Sequence, residues 1–200
     1  GFHLLTELTE ALDKRKQIVD LGPLLKAEPE AWRKANYSDA LLSLGQVGGK
    51  QVGLAFNAST PLMYVNAELV KKAGGDPDKM PDNWADTVAL AKKIHSGDTA
   101  GLAYNIHDWP DDWLWRGIIQ QGGHTLLDAS GKKVAFGGDV GLKALTTLRS
   151  FVTEAGMPLI DWDQSRQQFI AGKIGIFFDT PARLRQVTDL VGDRFTLKTA

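Results

Sequence analysis

Three tryptophans and three aspartates are interleaved in one short segment of the chain, IHDWPDDWLW at residues 106–115. Indole rings cost free energy to expose to water and carboxylates cost free energy to bury, so a packed core alone does not account for this mixture. Aromatic rings beside acids suit a polyhydroxylated molecule, because the ring covers its C–H face and the carboxylates accept hydrogen bonds from its hydroxyls. The segment therefore predicts a binding surface for a sugar or polyol.

The helix predicted after Pro110 separates these tryptophans into two groups. At about 100° per residue, Trp115 falls on the apolar side of this helix and Trp113 falls on the opposite side. The apolar side is formed by Leu114, Trp115, Ile118 and Ile119. We therefore expect Trp115 to lie in the core and Trp113 to contact a ligand; in the alternative, Trp113 covers a neighbouring loop.

Trp109 precedes this helix and follows a buried strand that is predicted at residues 101–105. Ligands of open α/β sheets bind at the carboxyl ends of strands, where the chain turns into a helix. This placement predicts that Trp109 stacks on a ligand, while Asp108 and Asp112 accept hydrogen bonds from its hydroxyls. The alternative is that Trp109 only closes the end of the strand.

A second strand-to-helix junction has polar residues in the same position. The apolar run KIGIFF at residues 173–178 is followed by Asp179 and Thr180, and then by Pro181 and Arg183. Thr180 and Pro181 predict a helix start, where free N–H groups can meet an anion or a hydroxyl. We expect Asp179 to accept hydroxyl hydrogen bonds and Arg183 to pair with an anionic group. The alternative is an ordinary helix cap beside solvated arginines.

A third polar segment, NASTP at residues 57–61, lies between two apolar runs. Asn57, Ser59 and Thr60 could offer hydroxyl and amide groups to a polar ligand. Loops of this composition are also common as simple turns, which is the alternative here.

Charge, cysteine content and motif spacing exclude several other functions. The chain has 23 Lys and Arg against 24 Asp and Glu, and this balance gives no basis for nucleic-acid binding. It has no cysteine, and its four histidines are too scattered to indicate a zinc site. No phosphate-loop or dinucleotide motif has the required spacing, so we expect no cofactor. A glycoside hydrolase that uses two of the aspartates is the alternative from another class, and a structural or adhesive module is a third.

The elements that must position these residues alternate between strands and helices, which predicts an α/β fold. Strands are expected at residues 51–56, 101–105, 173–178 and 194–199, and a turn with a short strand is expected at residues 128–136. Residues 61–66 form another short apolar run. Helices are expected at residues 84–94 with Asn83 or Asp82 as the cap, at 140–155 with Leu142, Leu145, Leu148 and Val152 inward, and at 164–171 with Asp163 as the cap. A helix that begins at the first residue suggests that the chain is part of a longer protein.

Taken in order, these segments resemble the family 1 extracellular solute-binding proteins of carbohydrate-uptake ABC transporters, the maltose- and glycerophosphate-binding kind. The matching motifs are a glycine-lysine turn, Tyr-x-Asn, a KKAG helix end, a Pro-x-x-Trp helix start and FIAGKIGIFFDTP. They lie at residues 48–50, 64–66, 71–74, 81–84 and 169–181. Order and spacing agree from about residue 20 to the end of the chain. Each motif is loose by itself, but their succession is fairly specific.

The resemblance implies the type II periplasmic-binding-protein fold, in which two α/β lobes enclose a ligand. Residues 1–57 would then be part of the first lobe with a crossing strand, and residues 58–195 would be the second lobe. Residues 196–200 would begin the return to the first lobe. About half of the binding cleft would have no counterpart in these 200 residues.

The resemblance also implies roles for individual residues and for the protein. Asn57, Ser59 and Thr60 would contact ligand, Trp109 would stack on it, and Asp112 or Trp113 would follow one helical turn later. Asp179, Thr180, Pro181 and Arg183 stand where relatives often have Gly-Pro-Trp or small hydroxyl residues. The implied function is non-catalytic capture of a sugar-like solute and its delivery to ABC permease subunits. The implied protein is a periplasmic or extracellular monomer, with or without a lipid anchor.

Overall fold

The computed structural model describes residues 6–55, 60–104 and 113–200 of the chain. The chain divides into two compact units, which we call unit 1 (Gly1–Ala58) and unit 2 (Ser59–Ala200).

The described part of unit 1 contains four short helices and one small antiparallel hairpin. Its helices are α1 (Thr6–Lys14), α2 (Gly22–Ala27), α3 (Glu30–Asn36) and α4 (Asp39–Ser43). Its strands are β1 (Gln46–Val47) and β2 (Lys50–Gln51). Gly48 and Gly49 connect the strands with φ angles of 56° and 79°, the positive values that a tight two-residue hairpin turn requires.

The strand that the sequence predicts at residues 51–56 is wrong in its extent. Only Gln51 lies in a strand, residues 52–55 form no regular structure, and Phe56 lies outside the described residues. The N–H groups of Val52 and Gly53 both donate to the carbonyl of Gly45, at 2.9 and 3.1 Å. The chain therefore turns back towards the end of α4 instead of extending the hairpin.

Unit 1 has almost no buried core in its described part. Its buried side chains are those of Gln51 and Val52, and α2, α3 and α4 contain no buried residue. Large apolar side chains are exposed instead, namely Leu8, Val19, Leu24, Trp32, Leu44 and Leu54. Helices this short gain most of their stability from packing, so those of unit 1 receive little stabilisation from the described residues.

Unit 2 is built on a four-stranded sheet of order β4-β5-β3-β6. The strands are β3 (Leu62–Asn66), β4 (Ala100–Tyr104), β5 (Ile174–Asp179) and β6 (Leu197–Thr199). β4 runs parallel to β5, and β3 runs antiparallel to both β5 and β6. The strands expected at residues 101–105, 173–178 and 194–199 are thus present, the apolar run at residues 61–66 contains β3, and the α/β fold class is confirmed. The short strand expected within residues 128–136 is wrong, because this described segment has only an isolated bridge between Val134 and Leu127. β6 lies in the segment that the resemblance assigns to the return crossing.

The helices of unit 2 alternate with these strands. They are α5 (Ala67–Lys72), α6 (Trp84–Ile94), α7 (Trp113–Gln121), α8 (Asp139–Thr153), α9 (Trp162–Ile170) and α10 (Leu184–Val191), with a 3-10 turn at Pro181–Arg183. Within the described ranges, no helix has both the length and the apolar character needed to cross a membrane.

The central strand β5 carries the core of unit 2. All six of its residues are buried, as expected of a continuous apolar strand with both faces covered. Aromatic rings pack beside it: the ring centroid of Phe169 lies 5.4 Å from those of Phe177 and Phe195, and 6.3 Å from that of Tyr64.

Two helices pack on this core with the faces that the sequence predicts. Asn83 caps α6 by accepting a hydrogen bond from the N–H of Asp86 at 2.9 Å, and the apolar face of α6 is buried. The predicted apolar side of α7 also faces the core, with Leu114, Ile118 and Ile119 buried. Trp115 lies at the margin of that face. It is half-buried and packs edge-on against Phe136 at a centroid distance of 4.5 Å.

The inward face predicted for α8 is right in its second half and wrong in its first. Leu148 and Val152 pack against the core as predicted, whereas Leu142 and Leu145 are 64% and 57% exposed. The buried residues of the helix are Gly141, Ala144 and Phe151. Gly141 explains the difference, because a Cβ atom there would lie 2.3 Å from the carbonyl oxygen of Phe136. The first half of the helix approaches its neighbours closely through small residues, so Leu142 and Leu145 point outwards.

The predicted cap of α9 is also wrong. Asp161 caps the helix by accepting a hydrogen bond from the N–H of Gln164 at 2.7 Å, so α9 starts two residues earlier than expected. Asp163 lies inside the first turn, where its carboxylate pairs with Arg166.

Candidate functional site

Three strands of unit 2 begin or end next to segments that the sequence singles out, and they do so at the same edge of the sheet. In the strand register, Leu62 at the start of β3 lies opposite Asp179 at the end of β5, and Tyr104 at the end of β4 lies beside Phe178. The chain therefore enters β3 from Thr60, leaves β4 after Tyr104 and leaves β5 after Asp179 at one edge. We call this edge, defined by Leu62, Tyr104 and Asp179, the candidate edge.

The described residues cover part of the predicted site. Thr60, Asp179, Thr180 and Arg183 are described, and Trp113 is placed only as the first residue of α7. Five further predicted contacts lie outside the described residues, as does the side chain of Trp113: Asn57, Ser59, Asp108, Trp109 and Asp112. Thr60 is exposed where the chain enters β3.

Asp179 differs from the expectation that its carboxylate accepts hydroxyls of a ligand. Its side chain has no exposed surface. One oxygen, Oδ1, accepts hydrogen bonds from the indole N–H of Trp162 at 2.9 Å and from the N–H of Thr180 at 2.7 Å. The other, Oδ2, accepts from Nε of Arg166 at 2.7 Å. Protein donors therefore engage both oxygens, which makes Asp179 part of the internal framework of the site.

Arg166 is the buried cation that compensates Asp179. Its guanidinium also donates to Asp163 Oδ1 at 2.5 Å and lies 5.9 Å from the ring centroid of Trp162. Burial by itself would lower the pKa of Arg166, but the hydrogen bonds and negative charges of Asp179 and Asp163 outweigh it and raise that pKa. Arg166 therefore stays protonated and supplies the counter-charge that a buried carboxylate partner requires.

The peptide group of Thr180 is fixed from both sides. Its N–H donates to Asp179, and its carbonyl accepts a hydrogen bond from the hydroxyl of Tyr64 at 2.7 Å. Its side-chain hydroxyl accepts from the N–H of Ala182 at 3.3 Å, so the predicted cap with Pro181 in the first position is confirmed. The turn that follows β5 is thus held by β3, β5 and its own cap together.

Arg183 lies on the exposed side of this turn. Its side chain donates to the carboxamide of Gln186 at 3.0 Å, and the residue is exposed to solvent. The guanidinium therefore lies at the surface, and the backbone N–H of Arg183 donates to the carbonyl of Thr180 at 3.1 Å. This placement is compatible with the role that the sequence predicts for Arg183.

Tyr64 makes the stability of unit 2 depend on pH in the alkaline range. Burial, together with the negative charge of Asp179, raises the pKa of Tyr64 from its ordinary value of 10.0 to about 12. The stabilisation from the neutral phenol is therefore fully present below about pH 10 and is lost as the pH rises towards 12. We expect the unfolding free energy of the wild type to fall more steeply over this range than that of Tyr64→Phe, measured by urea denaturation at stepped pH.

The control for this measurement is Tyr37→Phe in unit 1, which should keep the steep wild-type dependence. Parallel curves for the wild type and Tyr64→Phe would show that the Tyr64 hydroxyl does not titrate in this way.

Sequence reasoning missed Trp162, Arg166 and Tyr64 as parts of the site. One signal was present: Trp162 and Arg166 are four residues apart, a spacing that puts them on one helix face. Another was Asp179 itself, since an acid that ends a fully apolar strand needs a buried partner. Which helix supplies that partner depends on tertiary packing.

The described part of the chain gives no basis for a metal centre. It contains no group of three or more His, Asp or Glu side chains that could hold a metal ion. Hydroxyl, guanidinium and indole groups dominate at the candidate edge, and these suit recognition of a polar organic molecule.

The chain is similar in sequence to a known protein family and to individual members of known function. Residues 5–194 match the family model described as bacterial extracellular solute-binding protein. A 62-residue segment is 39% identical to the sn-glycerol-3-phosphate-binding periplasmic protein UgpB of Escherichia coli K12, covering 30% of the chain and 14% of that relative.

Solved structures of this kind have the same fold. UgpB of Mycobacterium tuberculosis in complex with glycerophosphocholine matches 96% of the chain with a TM-score of 0.78 at 17% identity. The sugar-binding protein MalE of Xanthomonas citri matches 96% with a TM-score of 0.79, also at 17% identity. In both cases the match covers 49% of the solved chain, so the chain spans about half the length of these structures.

Proposed function

Because the chain belongs to the bacterial extracellular solute-binding protein family, we propose that it captures a carbohydrate-like solute and presents it to the permease of an ABC importer. The proposed solutes are sugars, polyols and glycerophosphate-type molecules. The protein acts outside the cytoplasmic membrane, in the periplasm or at the cell surface with or without a lipid anchor, and as a monomer.

One observation carries this proposal: three strands that adjoin polar segments begin or end at a single edge of the sheet. Thr60 precedes β3 and Thr180 follows β5, and the register brings the start of β3 and the ends of β5 and β4 to this edge. The segment that leaves β4 contains Asp108, Trp109 and Asp112. A sheet edge where chains pass between strands and helices is a common place for a small-molecule site in α/β proteins.

The proposed contacts fall into three chemical groups. Trp109 and Trp113 stack on the ligand, and Asp108 and Asp112 accept hydrogen bonds from its hydroxyls. Arg183 pairs with an anionic group where the ligand has one. The hydroxyl and amide groups of the two flanking segments complete the set, from Asn57, Ser59, Thr60 and Thr180.

The proposed mechanism is a shift between an open and a closed state. A ligand that contacts two lobes binds the closed state more tightly than the open one, and it moves the equilibrium by that difference in affinity. The part supplied by unit 2 is a pre-formed wall, since the turn at Thr180 is fixed by Tyr64 and Asp179.

The structure argues against Asp179 as one of the two catalytic acids of the glycoside hydrolase alternative. Asp179 is fully buried and bonded to Arg166 and Trp162, so it is not placed to donate or accept a proton at a glycosidic bond. Turnover of chromogenic glycosides that Asp112→Asn abolishes would reverse this conclusion.

The proposal is tested by a thermal-shift and calorimetry screen of the full-length protein with cyclic sugars, polyols, glycerol 3-phosphate and sugar acids. A cognate ligand at 100 times its Kd should stabilise the folded state by about 2.7 kcal/mol. Arg183→Gln should weaken binding of anionic members of the panel, while Arg185→Gln in the same segment serves as the matched control. If no member of the panel stabilises the protein, the carbohydrate assignment is wrong.

A further inference from the structure

Tyr64 joins β3 to the turn that follows β5, although the predicted site does not contain it. Its hydroxyl donates to the carbonyl of Thr180 at 2.7 Å. The ring that carries this hydroxyl is packed in the core. Tyr64 has no exposed surface, and its ring centroid lies 6.2 Å from that of Phe177 and 6.3 Å from that of Phe169. Tyr64 therefore offers the turn a donor of fixed position.

Thr180 lies between two peptide planes, and a different buried side chain holds each of them. The plane before it is held by Asp179, whose carboxylate accepts the N–H of Thr180 at 2.7 Å. The plane after it, between Thr180 and Pro181, is held by the hydroxyl of Tyr64. A residue has two soft backbone dihedral angles, one towards each plane, so both anchors are needed to fix the direction of the Thr180 side chain. The resulting angles are φ −70° and ψ 142°.

The backbone N–H groups that follow Thr180 donate within the turn itself. The N–H of Ala182 donates to the Thr180 hydroxyl at 3.3 Å, and that of Arg183 donates to the Thr180 carbonyl at 3.1 Å. The N–H of Leu184 donates to the carbonyl of Pro181, which has no N–H of its own. A ligand at this turn therefore meets side chains rather than backbone donors, so the direction of the Thr180 side chain decides what the ligand meets.

We propose that Tyr64 is a positioning residue of the ligand site and that it acts through Thr180. Its hydroxyl fixes the peptide plane between Thr180 and Pro181, and thereby the direction in which Thr180 meets a ligand. This inference rests on the proposed function, in which Thr180 contacts the solute. A side chain that already has its binding geometry loses less conformational freedom when the ligand arrives, which favours affinity.

The rival explanation is that Tyr64 only stabilises the core of unit 2. Both explanations expect a loss of stability when the hydroxyl is removed, because its hydrogen bond is buried. They differ in ligand affinity, and in whether the change in affinity depends on the presence of the Thr180 side chain. The test must therefore measure stability, affinity and the coupling between the two residues.

The test uses Tyr64→Phe in the full-length protein, which removes the hydroxyl and keeps the ring. Thr87→Val is the matched control: Thr87 is 2% exposed, lies in α6, and its hydroxyl also donates to a backbone carbonyl at 2.7 Å, that of Asn83. In both variants the carbonyl keeps a backbone donor, at 3.1 Å from Arg183 for Thr180 and at 3.0 Å from Thr87 for Asn83. Thr180→Ala and the double variant Tyr64→Phe/Thr180→Ala complete a double-mutant cycle.

The probes are cyclic sugars, polyols, glycerol 3-phosphate and sugar acids, and isothermal titration gives each Kd for the probe that binds the wild type most tightly. We expect Tyr64→Phe to weaken this binding about 5-fold and Thr180→Ala about 10-fold, as the loss of one neutral hydrogen bond does. The double variant should weaken it about 10-fold, rather than the product of about 50-fold expected of independent residues. Thr87→Val should lower the urea midpoint much as Tyr64→Phe does, yet change the Kd less than about 2-fold.

Several distinguishable outcomes would overturn the inference. If Tyr64→Phe binds as tightly as the wild type, or Thr87→Val loses as much affinity, Tyr64 is a residue of the core alone while the proposed function stands. A double variant weakened about 50-fold would mean that Tyr64 does not act through Thr180. Unchanged binding by Thr180→Ala would remove the turn from the site. If the wild type binds none of the probes, the proposed function fails, and this inference fails with it.

Discussion

Replacing Arg166 with methionine should lower the free energy of unfolding by about 3–5 kcal/mol, because the substitution leaves a buried carboxylate without its counter-charge. Asp179 has no exposed side-chain surface, and Arg166 is 11% exposed. Water therefore cannot replace the lost partner without opening the structure. Urea denaturation of the wild type and Arg166→Met, followed by circular dichroism, measures the difference.

A double variant separates two contributions to the free energy of unfolding: the penalty for leaving one buried charge unpaired, and the net stabilisation by the ion pair. Removing both charges, as in Arg166→Met with Asp179→Leu, should recover much of the lost stability, since an apolar replacement of a buried pair is often close to neutral. Arg185→Met is the control: Arg185 is exposed and its carboxylate partner Asp189 lies 3.8 Å away, so the change should stay within about 0.5 kcal/mol. A cost below about 1 kcal/mol for Arg166→Met would mean that Asp179 tolerates isolation and that the pair does not stabilise unit 2.

Gly101→Ala should lower the free energy of unfolding by about 3 kcal/mol or more, or prevent folding. The reason is that the backbones of β4 and α6 are in direct contact at this position. A Cβ atom on Gly101 would lie 1.8 Å from the carbonyl oxygen of Ala91. The clash is with α6 backbone, so no side-chain rotation relieves it. Soluble yield and the urea midpoint measure the effect.

Gly117→Ala is the matched control for the glycine prediction. Gly117 lies within α7, and a Cβ atom there would meet nothing within 4 Å. Alanine should therefore stabilise the helix by up to about 1 kcal/mol, because it restricts the unfolded chain more than glycine does. Equal effects at the two positions would contradict the close packing of β4 against α6.

The elements of unit 2 could be predicted because their signals are local. The apolar run at residues 173–178 predicts a buried strand, and the structure has it at Ile174–Asp179. Asn83 and Thr180 were predictable as caps, since capping depends on residues within one turn. The strand at residues 51–56 failed because unit 1 has little sheet for it to join.

The exposure of Leu142 and Leu145 in α8 was not predictable from the sequence pattern alone. Hydrophobic periodicity assigns the largest apolar residues to the inside, and Leu142 and Leu145 fit that rule. The close approach at Gly141 decides the face instead, and it depends on where Phe136 lies in space. From the sequence alone, a small residue on a helix face is equally consistent with an exposed position and with a close helix contact.

The location of the candidate site was predictable from the sequence, but the roles of its individual residues were only partly predictable. Strand ends and polar junctions pointed to Thr60 and Thr180, and the sheet register brings their segments together. Asp179 was expected to contact ligand because its position is right, yet its partners Trp162 and Arg166 come from a helix that precedes it in sequence. A pairing of this kind is settled by tertiary packing, which no local pattern encodes.

The scarcity of buried side chains in unit 1 determines how heat and denaturant act on the chain. The heat capacity change and the denaturant dependence of unfolding both follow the apolar surface that unfolding exposes. In the described residues nearly all of that buried surface belongs to unit 2, so we expect one cooperative transition of unit 2 to carry the calorimetric signal. The helices of unit 1 should instead open locally at low free-energy cost, and their amide protons should exchange with solvent long before those of β5.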